Sequence, residues 1–126
     1  MPLTNAGRDF IAADIIGEAV TEFDNTNAHI GVGDSNAVFA ATQTDLQAAV
    51  NKLRKAMEAG YPSRSGNIIS LRSLFGTGDA NFAWLEWAVF NALAAGTMLS
   101  RKVENLGTKT SAQSWQLTVD LTINAA

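Results

Sequence analysis

Trp115-Gln116-Leu117-Thr118-Val119-Asp120-Leu121-Thr122-Ile123-Asn124 alternates apolar and polar side chains without a break. Successive side chains of an extended chain point to opposite faces, so strict period two predicts a strand with one buried face. Thr118, Val119 and Thr122 suit a pleated surface as well. The expectation is that Trp115, Leu117, Val119, Leu121 and Ile123 are buried together while the intervening residues face outward. This strand should then be a keystone of the core.

Working back from it, residues 82–90 form an apolar run with large side chains of both parities, as in a central strand covered on both faces. Ala94-Ala95-Gly96 turns the chain, and residues 97–103 supply the partner strand. Ile69, Leu71 and Phe75 share one parity, ahead of the turn Gly76-Thr77-Gly78-Asp79. Gly60-Tyr61-Pro62-Ser63-Arg64-Ser65-Gly66 reads as a break. From 43 to 57 two patterns compete. Leu46, Val50, Leu53 and Met57 are spaced as on one face of a helix, yet 52–57 also suits an edge strand with outward charges. A short helix over 43–50, followed by an extended segment, is the reading taken. Residues 35–42 read as a loop, and 28–32 as a short strand after the turn Asp24-Asn25-Thr26-Asn27. Residues 4–20 read as a helix capped by Thr4 or Asn5, with Phe10, Ala13, Ile16 and Val20 at helical spacing. Gly7 and Gly17 weaken it. Strands separated by turns after a leading helix predict a mainly β (α+β) fold, an antiparallel β-sandwich or partly rolled sheet.

At 126 residues, with 47% hydrophobic and 17% charged residues, residues 1–126 are expected to form a single globular domain. The charge fraction is low for a surface that must stay apart from its neighbours, which favours an assembling subunit. Net charge is −3, against nucleic-acid binding through clustered cations. Lys52, Arg54 and Lys55, with Arg64 and Arg72 further on, read as solvated or intersubunit charges. No cysteine is present, which excludes disulfides, thiolate metal sites and cysteine nucleophiles. No apolar stretch has the roughly 20 residues a membrane helix needs, and the N-terminus lacks a signal-peptide pattern. The expectation is a protein made in a cytoplasm, with no membrane partner.

Residues that could carry chemistry are few. His29 is the lone histidine, with Asp24 and Asp34 near in sequence and no nucleophile motif to complete a triad. Gly31-Val32-Gly33-Asp34-Ser35 lacks the lysine of a phosphate loop and reads as a strand end where glycine supplies positive φ. Asp34, Asp45, Glu58, Asp79 and Glu86 do not show the dense alternation of a calcium loop. Asp79 should bond its own turn. Glu86, between Trp84 and Trp87, needs a partner if buried, and Arg101 or Lys102 can supply it. Trp84, Trp87 and Trp115 could line a glycan platform but read first as core or interface. No catalytic, cofactor-binding or metal-binding residue is assigned, and no cofactor is expected.

Several segments in order resemble small tailed-bacteriophage virion proteins of the tail-collar, fibre-attachment and head-decoration kind. Leu3-Thr4-Asn5-Ala6-Gly7-Arg8-Asp9-Phe10-Ile11-Ala12 is similar to the leading helix of tail-collar fibre domains, which often begin Leu-Thr-Asn-Ala-Gly. His29-Ile30-Gly31-Val32-Gly33-Asp34-Ser35 resembles their strand and glycine turn. Phe82-Ala83-Trp84-Leu85-Glu86-Trp87-Ala88-Val89-Phe90-Asn91, then Gly96-Thr97-Met98-Leu99-Ser100-Arg101-Lys102, resembles their acidic residue, apolar strand, Phe-Asn corner, glycine turn and partner strand. Leu106-Gly107-Thr108-Lys109-Thr110 and Trp115-Gln116-Leu117 complete the likeness. The resemblance implies a non-enzymatic structural subunit of the virion, associated with tail, neck or collar, made in the host cytoplasm. Its partners would be other virion proteins and copies of itself, a trimer first, through strand edges or residues 52–61. A capsid decoration protein is the alternative, and a small glycan-binding module the alternative of another class.

Overall fold

The computed structural model describes residues 2–124. In chain order they form α1 (Asn5–Ile15), β1 (His29–Gly33), β2 (Lys52–Ala56), β3 (Ser63–Ser65), β4 (Ile68–Phe75), β5 (Ala83–Phe90), β6 (Met98–Thr108) and β7 (Trp115–Thr122). Two antiparallel sheets result, ordered β2-β1-β5-β6 and β3-β4-β7. They stack as a sandwich. Ile30, Val32, Trp87 and Val89 of the first sheet share one core with Leu71, Phe75, Val119 and Leu121 of the second. The expected mainly β fold with a leading helix is the observed one.

The alternating C-terminal stretch is β7, paired with β4 in unbroken register from Phe75↔Trp115 to Ile68↔Thr122. Its parity is as expected, but its burial is graded. Val119 and Leu121 are buried, Trp115 and Leu117 only partly so, and Ile123 lies past the strand end, 57% exposed. There the space between the sheets opens into a groove beside α1, so the fifth apolar residue has little to pack against.

β5 is central and covered on both faces. Trp87 and Val89 face the second sheet, while Ala88 and Phe90 join Leu46 and Met98 on the opposite side. An irregularity between Trp84 and Glu86 resets the alternation. It lets Trp84 enter the main core although Glu86, two residues on, points the other way.

The structure corrects several expected boundaries and elements. The helix stops at Ile15 rather than residue 20, because Gly17 adopts φ +81° and the N–H of Glu18 bonds back to Ala13 O at 3.0 Å. Ile16 and Val20 therefore lie outside it. Gly7 belongs inside the helix for a steric reason, since a Cβ there would sit 2.2 Å from Leu99 O. Thr4 caps the helix, accepting the Gly7 N–H at 2.9 Å, and donates to Met98 O, which ties α1 to β6.

Residues 43–50 are not helical. The amides of Gln47 and Ala48, which a helix would direct at carbonyls four residues back, are taken by a carboxylate from another strand. The extended segment after them is β2. The 60–66 break contains β3, whose Ser-Arg-Ser sequence is fully exposed and carries no hydrophobic signal. β6 runs to Thr108 rather than 103, because its pairing with β5 resumes beyond the irregularity.

Candidate functional site

Among the described residues Glu86 and Arg101 are the most deeply buried ion pair. Glu86 on β5 and Arg101 on β6 face away from the main core, with no side-chain exposure on either, and Arg101 Nε lies 2.7 Å from Glu86 Oε1. An unpaired charge in that position would be prohibitive, so every polar atom must find a partner. The Gln47 N–H donates to Glu86 Oε1 and the Ala48 N–H to Oε2, each at 2.8 Å. Arg101 donates from Nη1 to Gln43 Oε1 at 3.1 Å and from Nη2 to Ala37 O at 3.0 Å. The pair thus holds the irregular 34–51 segment down on the sheet.

Two glycines make room for it. A Cβ on Gly33 would lie 2.5 Å from Glu86 Oε2, and one on Gly31 would lie 2.8 Å from the Phe90 ring. Neither glycine has positive φ. The expected conformational role is therefore replaced by a spatial one: Gly31 and Gly33 are strand residues over which a carboxylate and a ring are packed.

Chemically the site is saturated. Both carboxylate oxygens and all three guanidinium nitrogens are engaged within the chain. Of the two expected partners Arg101 is the one used, while Lys102 pairs with Glu104 at 3.2 Å.

The basic run makes ion pairs within the chain, while Lys52, Lys55 and Arg64 keep part of their side chains in solvent as expected. Lys52 and Arg54 both reach Asp45 at 3.2 Å, and Lys55 reaches Asp79 at 2.8 Å. Arg54 further stacks over Phe90 at 3.5 Å and donates to Ala92 O and Ala95 O, closing the β5–β6 turn. Arg72 lies over the Tyr61 ring at 4.4 Å with Glu58 3.9 Å away, and Arg64 bonds the nearby Gly66 O. Asp79 accepts the Gly76 N–H at 2.9 Å, as its turn position suggests. Partial burial alone would raise the Asp45 pKa, but hydrogen bonds from the Leu46 N–H, Arg54 and Lys52 outweigh it and hold the carboxyl below its ordinary range.

His29 is not brought to an acid–base partner. It is 8% exposed with Nδ1 2.8 Å from Asn27 O, while Asp24 bonds Asn27 and Asp34 bonds Asn51. Trp84 and Trp87 are buried, and Trp115 packs edge-on against Trp84 at 4.9 Å. Trp84 and Trp87 thus belong to the core, while Trp115 stays partly exposed. Among the described residues no group of three or more His, Asp or Glu side chains is placed to hold a metal ion, and no helix is long and apolar enough to cross a membrane.

What the sequence reading missed is a surface. β6 and β7 are edge strands of different sheets, yet both line one cleft of about 330 Å³ formed by Trp87, Lys102, Leu106, Leu117 and Val119 with their neighbours. An apolar groove of about 530 Å³ opens at the C-terminal end of β7, between Phe10, Ile11, Phe23, Leu99, Leu121 and Ile123. No residue type announces such a seam, because it exists only once two strands that are consecutive in the chain become the edges of different sheets and face each other. No known family model matches the sequence, and no curated protein matches it.

Proposed function

We propose that this chain is a non-enzymatic structural subunit of a tailed-phage particle, associated with its tail, neck or collar. The observation that carries the reading is the open edge of β7: eight residues in regular register, with no proline and Asp120 as the one charge. Proteins that stay monomeric shield such edges with charges, prolines, bulges or a covering segment. An unshielded edge of this length suits a subunit whose neighbour completes the sheet. The sequence resemblance supplies the kind of assembly, and the saturated Glu86–Arg101 pair fits a role without turnover. Partners are then other virion proteins and copies of the chain itself, a trimer being the stoichiometry proposed.

Cryo-electron microscopy and mass spectrometry of purified particles test this directly. The chain should be retained at fixed copy number, with its sandwich fitted to density at the tail or neck. Density on the head instead would make it a capsid decoration protein. Absence from washed particles, or a turnover activity lost in Glu86→Gln or His29→Ala, would overturn the structural reading.

A further inference from the structure

The direction of the β7 backbone follows from one bond. The Ile123 N–H reaches Asn67 O at 2.9 Å, towards β4. Backbone groups of an antiparallel edge strand alternate between partner and open side. Gln116, Thr118, Asp120 and Thr122 therefore turn their N–H and C=O groups outward, and their side chains are exposed. The cleft at Leu117 and Val119 and the groove at Leu121 and Ile123 follow one another along this edge.

The groove has a one-sided charge. Its ionisable lining residues are Asp14, Glu22 and Asp24, with no cation among them. The carboxyls of Asp14 and Asp24 lie close enough to that of Glu22 to raise its pKa. An apolar trough with a carboxylate rim is complementary to apolar side chains next to a cation.

We infer that the β6–β7 seam is a docking strip for an extended segment of another protein, which adds to β7 as a strand. Alternate apolar side chains of that segment cover the cleft and the groove, and a lysine or arginine lies against Asp14, Glu22 and Asp24. Main-chain bonds supply affinity and the two hollows supply selection, as in other strand additions. The inference rests on the assembly reading for the source of the segment, a neighbouring particle protein. A second copy fits less well, because its own β7 brings Asp120 and no cation to a carboxylate rim.

The probe is a blocked peptide of alternating Val and Thr with Lys at both ends, beside the same peptide ended with Glu. Amide chemical shifts of the full chain should move at Gln116, Thr118, Asp120 and Thr122 with the Lys-ended peptide. The Glu-ended peptide should bind about tenfold more weakly, and Glu22→Lys with Asp24→Lys should reverse that order. Thr118→Pro removes an outward N–H while sparing the β4 ladder, and should weaken binding about tenfold, with its melting temperature confirming the fold. Equal binding of both peptides, shifts confined to another surface, or no shift at millimolar peptide would overturn the strip. So would a homo-oligomer that Thr118→Pro dissociates, since the seam would then be a self-interface. Peptide binding by a chain absent from particles would sink the virion reading alone; a chain present in particles that ignores the peptide would sink the strip alone.

Discussion

Removing the guanidinium of Arg101 leaves the Glu86 carboxylate buried with only two amides. Breaking a buried pair from one side typically costs about 3–5 kcal/mol, so Arg101→Met should lower stability in urea titration by that order. Glu86→Leu combined with Arg101→Met should cost less than the single change, because no charge is then stranded. Hydrogen exchange at the Gln47 and Ala48 amides reports the mechanism. They should lose protection in either variant while β7 amides keep theirs; uniform loss would mean the pair does not hold the 34–51 segment. Gly33→Ala forces a methyl against Glu86 Oε2 and the Ala48 Cβ, 3.1 Å away. Overpacking of this kind costs about 1–3 kcal/mol, and the added cost of Gly33→Ala should be smaller when it is made in a Glu86→Ala chain and compared with Glu86→Ala alone.

At the scale of the element, β7 and α1 make contrasting predictions. Leu121→Ala should cost about 2–5 kcal/mol, whereas Ile123→Ala, beyond the strand end, should cost about 0.5 kcal/mol or less. Leu121→Asp should abolish soluble folding, while Thr118→Asp on the outer face should fold. Equal costs at Leu121 and Ile123 would contradict the graded burial. In α1, helix propensity alone makes Gly7→Ala stabilising by about 1 kcal/mol. The 2.2 Å approach of that Cβ to Leu99 O reverses the sign, so thermal melts should show a lower midpoint. A higher midpoint would mean that α1 is free to move off β6.

Across the whole molecule two acids respond to pH in opposite senses. Asp45 is held below its ordinary value of 3.8 because its hydrogen bonds outweigh burial. Its contribution is present above that value and is lost as pH falls through the lower, folded value. Glu22 is held above 4.5, first by the adjacent Asp14 carboxyl and then by that of Asp24. Its contribution is present below 4.5 and is lost as pH rises through the higher, folded value. Asp45→Asn should therefore lower the melting temperature at about pH 7, with the difference closing in strong acid. Glu22→Gln should raise it at about pH 7 and lose that advantage by about pH 4. Melting curves of both variants across this range check the two signs together.

The sequence by itself determined the elements whose side chains alternate against a single core. β7, β4 and the central β5 were legible because burial imposes period two, or continuous apolarity, on residues that are neighbours in the chain. Glu86 was legible too, as a charge in an apolar run that had to find a cation on the adjacent strand. Only the tertiary structure decided the rest. Residues 43–50 carry a helical pattern, yet their amides are captured by Glu86, which lies far along the chain and whose reach no local period encodes. Gly31 and Gly33 look like turn residues until the side chains packed over them are known. The β6–β7 seam is furthest from the sequence: it is made of backbone edges, and which edges stay open depends on strand order, a property of the assembled sheets rather than of any residue.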